Sequence, residues 1–108
     1  MIRVYIAAPY SKGIPLLNTI RAIRAANRVA NMGAMPFVPH LSWLWACCFH
    51  RPYRWWMDWC LSWLKFCDAV LRLPGYSPGA DEEVAEARRL GIPVFYSLED
   101  LKVWLAQR

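Results

Sequence analysis

The 108-residue chain contains no run of five like charges, no CxxC pair and no apolar stretch approaching the roughly 20 residues that a bilayer crossing requires. Each absence removes a class of function. Without a charge run a nucleic-acid-binding tail is not expected, and no nucleic acid is expected as a partner. Without CxxC spacing, Cys47, Cys48, Cys60 and Cys67 read as thiol core filler rather than a disulfide or zinc framework. Cys47, Cys48 and His50 have no matching second pair of ligands, so no metal is expected, and nothing in the sequence calls for a cofactor. The apolar segment 41–49 is closed off by His50, Arg51 and Arg54, which argues against a membrane partner. No signal peptide precedes the first strand pattern, and a reduced, cytoplasmic setting is the expectation. Repeats, linkers and low-complexity segments are also missing, so residues 1–108 are expected to form one domain with function on the fold itself.

What is present begins with charge. Thirteen Lys and Arg face eight Asp and Glu, a formal +5 that favours anionic partners in general. Residues 3–8, Arg-Val-Tyr-Ile-Ala-Ala, form a short apolar run that ends at Pro9, which suits a buried parallel strand followed by a loop over 9–13. That loop lacks a glycine directly after the strand, but Ser11 and Lys12 offer anion contacts. Pro15 fits a first helical turn, and Leu16, Leu17, Ile20, Ile23 and Ala30 then repeat at helical spacing as the expected apolar stripe, with Arg21, Arg24 and Arg28 on another, solvated face until Gly33. Residues 35–38 read as a second strand. Residues 41–53 lack clean periodicity and are expected to form a loop or short helix. The pattern predicts a helix over 54–66, a strand over 69–73, a helix over 79–90 and a strand over 93–96. Ser97 then caps a last helix with Asp100 at its third position.

Strands and helices alternating at this length predict an α/β, single-domain, Rossmann-like or flavodoxin-like three-layer sandwich with a four- to five-stranded parallel sheet. Ligands in such sheets bind beyond the carboxyl ends of the strands. That rule alone gathers Tyr5 or Tyr10, His40, Ser77 and Glu83 into one crevice, with Ala8, Ser11, Lys12 and Gly79 in the same strand-end loops. The loop Ser77-Pro78-Gly79 before a helix is a seat for an anion, while Asp81 and Glu82 read as compensation of the helix dipole. Glu83 differs. Stepping i, i+4, i+7 gives Glu83, Ala87 and Leu90 as an inward stripe, against Glu82, Glu86 and Arg89 outward. His40, past the second strand, is placed to hydrogen-bond a base or sugar. Asp68, entering a strand, reads as structural. Six tryptophans, Trp43, Trp45, Trp55, Trp56, Trp59 and Trp63, crowd one third of the chain, as an aromatic wall over the crevice or a homo-oligomer interface.

Tyr5 within Val-Tyr-Ile-Ala-Ala-Pro, Asp58 on the middle helix, Cys67-Asp68-Ala69-Val70, and Ser77-x-Gly79-x-x-x-Glu83 before Gly91-Ile92-Pro93-Val94 together resemble the nucleoside 2-deoxyribosyltransferase superfamily. The likeness spans nearly the whole chain. It is closest in style to a small branch that includes deoxynucleoside monophosphate N-glycosidases and short phage and bacterial relatives. The resemblance implies Glu83 as a nucleophile at the anomeric carbon, Tyr5 as the group that holds it, and Asp58 as a helper of the departing base or the sugar. It also implies Ser77 at a 5′-phosphate and a homodimer or larger assembly. The chemistry suits these residue types, since an oxocarbenium-like state needs a carboxylate below the sugar and a proton for the leaving base. Glu83, near a helix N-terminus, is expected to stay ionised, and Asp58, among Trp55, Trp56 and Trp59, to be desolvated and act as the acid. Three readings remain open: an N-glycosidase or deoxyribosyltransferase, whose sugar acceptor is water or a second base; a non-catalytic nucleotide-binding or sensing module of the same fold; and, compatible with either, an oligomeric interaction protein built on the tryptophan-rich segment.

Overall fold

The computed structural model describes residues 1–108. Its elements run β1 (Arg3–Ala7), α1 (Pro15–Asn31), β2 (Met35–Phe37), a single 3-10 turn at Pro39–Ser42, α2 (Trp43–Cys48), α3 (Tyr53–Leu64), β3 (Ala69–Arg72), α4 (Pro78–Arg89), β4 (Val94–Phe95) and α5 (Leu98–Ala106). The four strands are all parallel in the order β2-β1-β3-β4. β2 is added on one side of β1 and then β3 and β4 on the other, so the order of strands reverses between β1 and β3, the switch point where flavodoxin-like folds open a crevice.

Two cores separate the layers. In β1, Val4 and Ile6 point into a cluster with Ala22, Ala25, Ala26 and Val29 of α1 and Leu101 of α5. Tyr5 and Ala7 point the other way, into a cluster with Leu64 of α3 and Ala80 and Ala87 of α4. The period-2 alternation of a strand makes this division, and it sets Tyr5 on the face where α3 and α4 lie.

Helix α1 corrects the expected apolar stripe. Its buried face is Asn18, Thr19, Ala22, Ala25, Ala26 and Val29, whereas Leu16, Leu17, Ile23 and Ala30 are exposed. Small side chains let the helix sit close on the sheet, and the larger aliphatics are carried to its flank. Leu90 likewise lies past the end of α4 and is exposed, so the inward stripe of that helix is Ala80, Glu83, Val84 and Ala87. Segment 41–53 resolves into the short α2, and the sheet has four strands, within the expected four to five. Asp68 accepts from the Arg3 N–H at 2.8 Å while its own N–H donates to the Arg3 carbonyl, which ties the start of β3 to β1.

Arg72, at the end of β3 and nearly buried, organises the next loop. Its guanidinium donates to the Leu73 and Gly75 carbonyls and pairs with Asp81 at 3.0 Å. Gly75 has φ of +119°, and a Cβ there would stand 2.8 Å from Pro9 Cγ, so only glycine lets this loop pass the one after β1. Ser77 then caps α4, its Oγ accepting from Ala80 N–H at 3.0 Å.

Candidate active site

A cavity of about 400 Å³ opens beyond the carboxyl ends of β1, β2 and β3. The loop after β1 supplies Ala8, Tyr10, Ser11 and Lys12, the turn after β2 supplies His40, and the start of α4 supplies Ser77, Gly79 and Glu83. All of these expected residues meet there. Tyr5 lies beneath them, fully buried, with its hydroxyl donating to Glu83 Oε2.

Glu83 is 5% exposed and is the one acidic side chain that lines the cavity. Burial pushes its carboxyl up from an ordinary 4.5 to about 7, against the Tyr5 hydrogen bond, which pulls it down. The carboxylate of Glu82 adds to the rise, and Arg72 and Cys60 oppose it. The expectation of a securely ionised Glu83 is thus corrected. Six residues past the Ser77 cap, it stands beyond the first turn, where the helix dipole has faded, and desolvation dominates. The same burial raises Tyr5 well above its usual range, with Glu83 next in effect, so the phenol keeps its proton and stays a donor.

Asp58 stands elsewhere. Its side chain is 68% exposed and pairs with Arg54 at 3.1 Å on the outer face of α3, away from the cavity. The inward stripe of α3 is Met57, Cys60, Leu61 and Leu64, and Arg54, Asp58, Ser62 and Lys65 form the outward one. The desolvation expected for Asp58 is therefore absent, because the tryptophans beside it in sequence lie to either side of an exposed face.

The acidic cluster at α4 is resolved by pairing. Asp81 turns to Arg72, and Glu82 receives two bonds from Arg54, at 2.6 and 3.3 Å. Neither lines the cavity. Ser77 is buried, and its oxygen already accepts a helix-capping bond, which leaves its hydroxyl proton to donate.

His40 is 4% exposed, with Nε2 3.0 Å from the Pro9 carbonyl. A carbonyl only accepts, so Nε2 carries the proton in the neutral ring, and Nδ1 is left buried without a partner. Burial lowers the tendency of the ring to charge, opposed by the carbonyls of Pro9 and Ala8. Tyr10 meets the imidazole edge-on at 5.6 Å. The loop that carries Tyr10 is pinned by Asn18, whose side-chain amide donates to the Tyr10 and Lys12 carbonyls at 2.8 and 2.5 Å.

Sequence reasoning missed Tyr53, Met57 and Cys60, which form the α3 wall of the cavity. A Cβ on Gly79 would lie 3.0 Å from Tyr53 Oη and 3.4 Å from Met57 Sδ, so the glycine lets α3 and α4 close together. The signal was the spacing 53, 57, 60, 64 at helical period, masked by aromatics at every intervening turn. Cys60 is pushed up to about 12 by burial and by Glu83, which leaves it a protonated neighbour of the carboxylate rather than a nucleophile. Of the tryptophans only Trp56 lines the cavity, while Trp45, Trp55 and Trp59 pack edge-on around it.

A buried carboxylate held by a phenol stands at the strand ends of a parallel, flavodoxin-like α/β sheet, the position at which folds of this class bind ligands. The family described as "domain of unknown function (DUF7768)" matches residues 2–97, and the chain belongs to that family. No curated protein matches the chain. Among solved structures, the chain is similar to a 2-deoxyribosyltransferase from the psychrotolerant bacterium Bacillus psychrosaccharolyticus, described as a biocatalyst for nucleoside synthesis. The likeness has a TM-score of 0.62 at 21% identity and covers 85% of this chain and 69% of that one. At that identity it shows a shared fold. No helix is long and apolar enough to cross a membrane.

Proposed function

We propose that the chain cleaves or transfers at the N-glycosidic bond of a nucleoside or (deoxy)nucleoside 5′-monophosphate, with Glu83 as the nucleophile. The observation that carries this reading is the buried Tyr5–Glu83 pair at the base of the cavity. Glu83 in its ionised form attacks C1′, and the C1′–N bond breaks with its electron pair leaving on the base. The base takes a proton from water or from the Tyr10 hydroxyl at the cavity wall. Water, or a second base, then bonds to C1′ as the C1′–O bond to Glu83 breaks, which restores the carboxylate, and the proton it loses returns to the group that protonated the first base. Tyr5 orients the attacking oxygen and stabilises its charge. Trp56 offers a face to a base, and Ser77, Ser11 and Lys12 offer donors to a 5′-phosphate. Pairing of Asp81 and Glu82 with arginines supports the phosphate arm, because it turns both carboxylates from the Ser77 seat.

Incubation with a panel of nucleosides, deoxynucleosides and their 5′-monophosphates, read by chromatography for free base, tests this reading. Base release that is lost in Glu83→Gln and Glu83→Ala supports it, and full turnover in either variant sinks it. A second reading, a non-catalytic nucleotide-binding or sensing module, is favoured by one observation: the cavity holds a single carboxylate, with Asp58 outside it. Binding across the panel without base release selects that reading. The exposed Leu41, Leu44, Trp45 and Phe49 of the tryptophan-rich segment fit self-association into a homodimer or larger assembly, which sedimentation of the intact chain measures.

A further inference from the structure

We propose that the chain carries a second anion site, a row of arginines on α1 that binds a condensed oligophosphate chain apart from the Glu83 cavity. Arg21, Arg24 and Arg28 stand at i, i+3 and i+7, so they share one flank of α1 and span about 10 Å at a rise of 1.5 Å per residue. All three line one hollow of about 250 Å³ between α1, the loops after β1 and β3 and the start of α5; it shares Ala8 with the Glu83 cavity but none of that cavity's polar side chains. Arg28 also borders an adjoining hollow that Lys102 of α5 lines, which extends the basic strip along the helix.

The row has no internal neutralisation. The ion pairs of the molecule use Arg54, Arg72 and Arg89, and none uses Arg21, Arg24 or Arg28. Glu99 and Asp100 at the start of α5 are exposed and make no ion pair. Like charges three and four residues apart repel on a helix, and a bound polyanion relieves that repulsion. Arg21 is oriented in advance by its bond to Asn18 Oδ1 at 3.1 Å, on the residue that also pins the loop after β1.

The lining chooses the ligand. It contains no aromatic side chain and no acid, so it offers a base no stacking surface, whereas its guanidinium forks suit phosphate oxygens. A row about 10 Å long matches a three-phosphate chain with its terminal oxygens better than a single phosphate.

Calorimetric titration of the intact chain with inorganic tripolyphosphate and with orthophosphate tests the site without any catalytic readout. Saturable 1:1 binding is expected, with tripolyphosphate about tenfold or more tighter than orthophosphate, weakening as salt is raised. Arg24→Ala and Arg28→Ala each lose about tenfold, while Arg89→Ala, which removes the same charge elsewhere, leaves binding unchanged. Circular dichroism of each variant establishes that it is folded. Absence of saturable binding, equal affinity for the two phosphates, or the same loss in Arg89→Ala would overturn the site. So would displacement of tripolyphosphate by a lower concentration of a short single-stranded oligonucleotide, since the occupant would then be nucleic acid.

Discussion

The two faces of the sheet are built to different ends from the same strands. On the α1/α5 face, Val4, Ile6, Ala69 and Leu71 meet alanines, Val29 and Leu101 in an apolar core without a charged member. On the α3/α4 face the alternate residues Tyr5, Ala7 and Val70 meet Leu64, Ala80 and Ala87, but the packing stops short and Tyr5 reaches a buried carboxylate at the edge of a cavity. One face collects stability, and the other gives some up around a buried carboxylate and a cavity. A carboxylate that keeps its proton to about pH 7 marks where that stability is lost.

Truncation on the closed face gives the largest expected effect. Leu101 is fully buried, and Leu101→Ala should cost about 2–5 kcal/mol in urea denaturation, with little dependence on pH. Glu83→Gln should do the reverse on the open face. The unfolded chain releases the Glu83 proton near 4.5 and the folded chain near 7, so wild-type stability is full below about pH 4.5 and falls as pH rises to about 7. Above that range Glu83→Gln should be more stable than wild type by up to about 3 kcal/mol, and near pH 4.5 the two should coincide. Denaturation at pH 5 and pH 8.5 measures the difference. A gain independent of pH would erase the contrast between the faces.

Tyr5→Phe sharpens the contrast by a smaller step. The Tyr5 hydroxyl lowers the Glu83 carboxyl, so its removal should move the midpoint of that pH-dependent stability loss above about 7. The smallest effect is expected at Asp58. Exposed and paired only with Arg54, it should tolerate Asp58→Asn with a change within about 0.5 kcal/mol. A collapse of stability or of base release in that variant would place Asp58 back in the site.

Much of the fold was legible because strands in a parallel sheet declare themselves as short apolar runs bounded by Pro9, Pro39, Pro74 and Pro93. Glu83 was legible because a helix's period fixes direction without any tertiary knowledge, whereas the pairing of Tyr5 with it came from the family resemblance of the Val-Tyr-Ile-Ala-Ala-Pro run. Helix α1 was misread because its large aliphatics advertise an apolar face while its alanines do the packing. Asp58 was misread because tryptophan reads as buried, and in α3 it flanks the polar stripe on both sides. The ionisation of Glu83 depends on how completely Tyr5, Cys60 and the wall of α3 exclude water from it, which no spacing along the chain records.

The pH profile of base release by the intact chain, measured beside Glu83→Gln, tests the role of Glu83 most directly. The account predicts release that rises with pH to a plateau above about 7, following ionisation of Glu83, and no release from the variant at any pH. Equal turnover by Glu83→Gln, or a profile without a rise near pH 7, would contradict it.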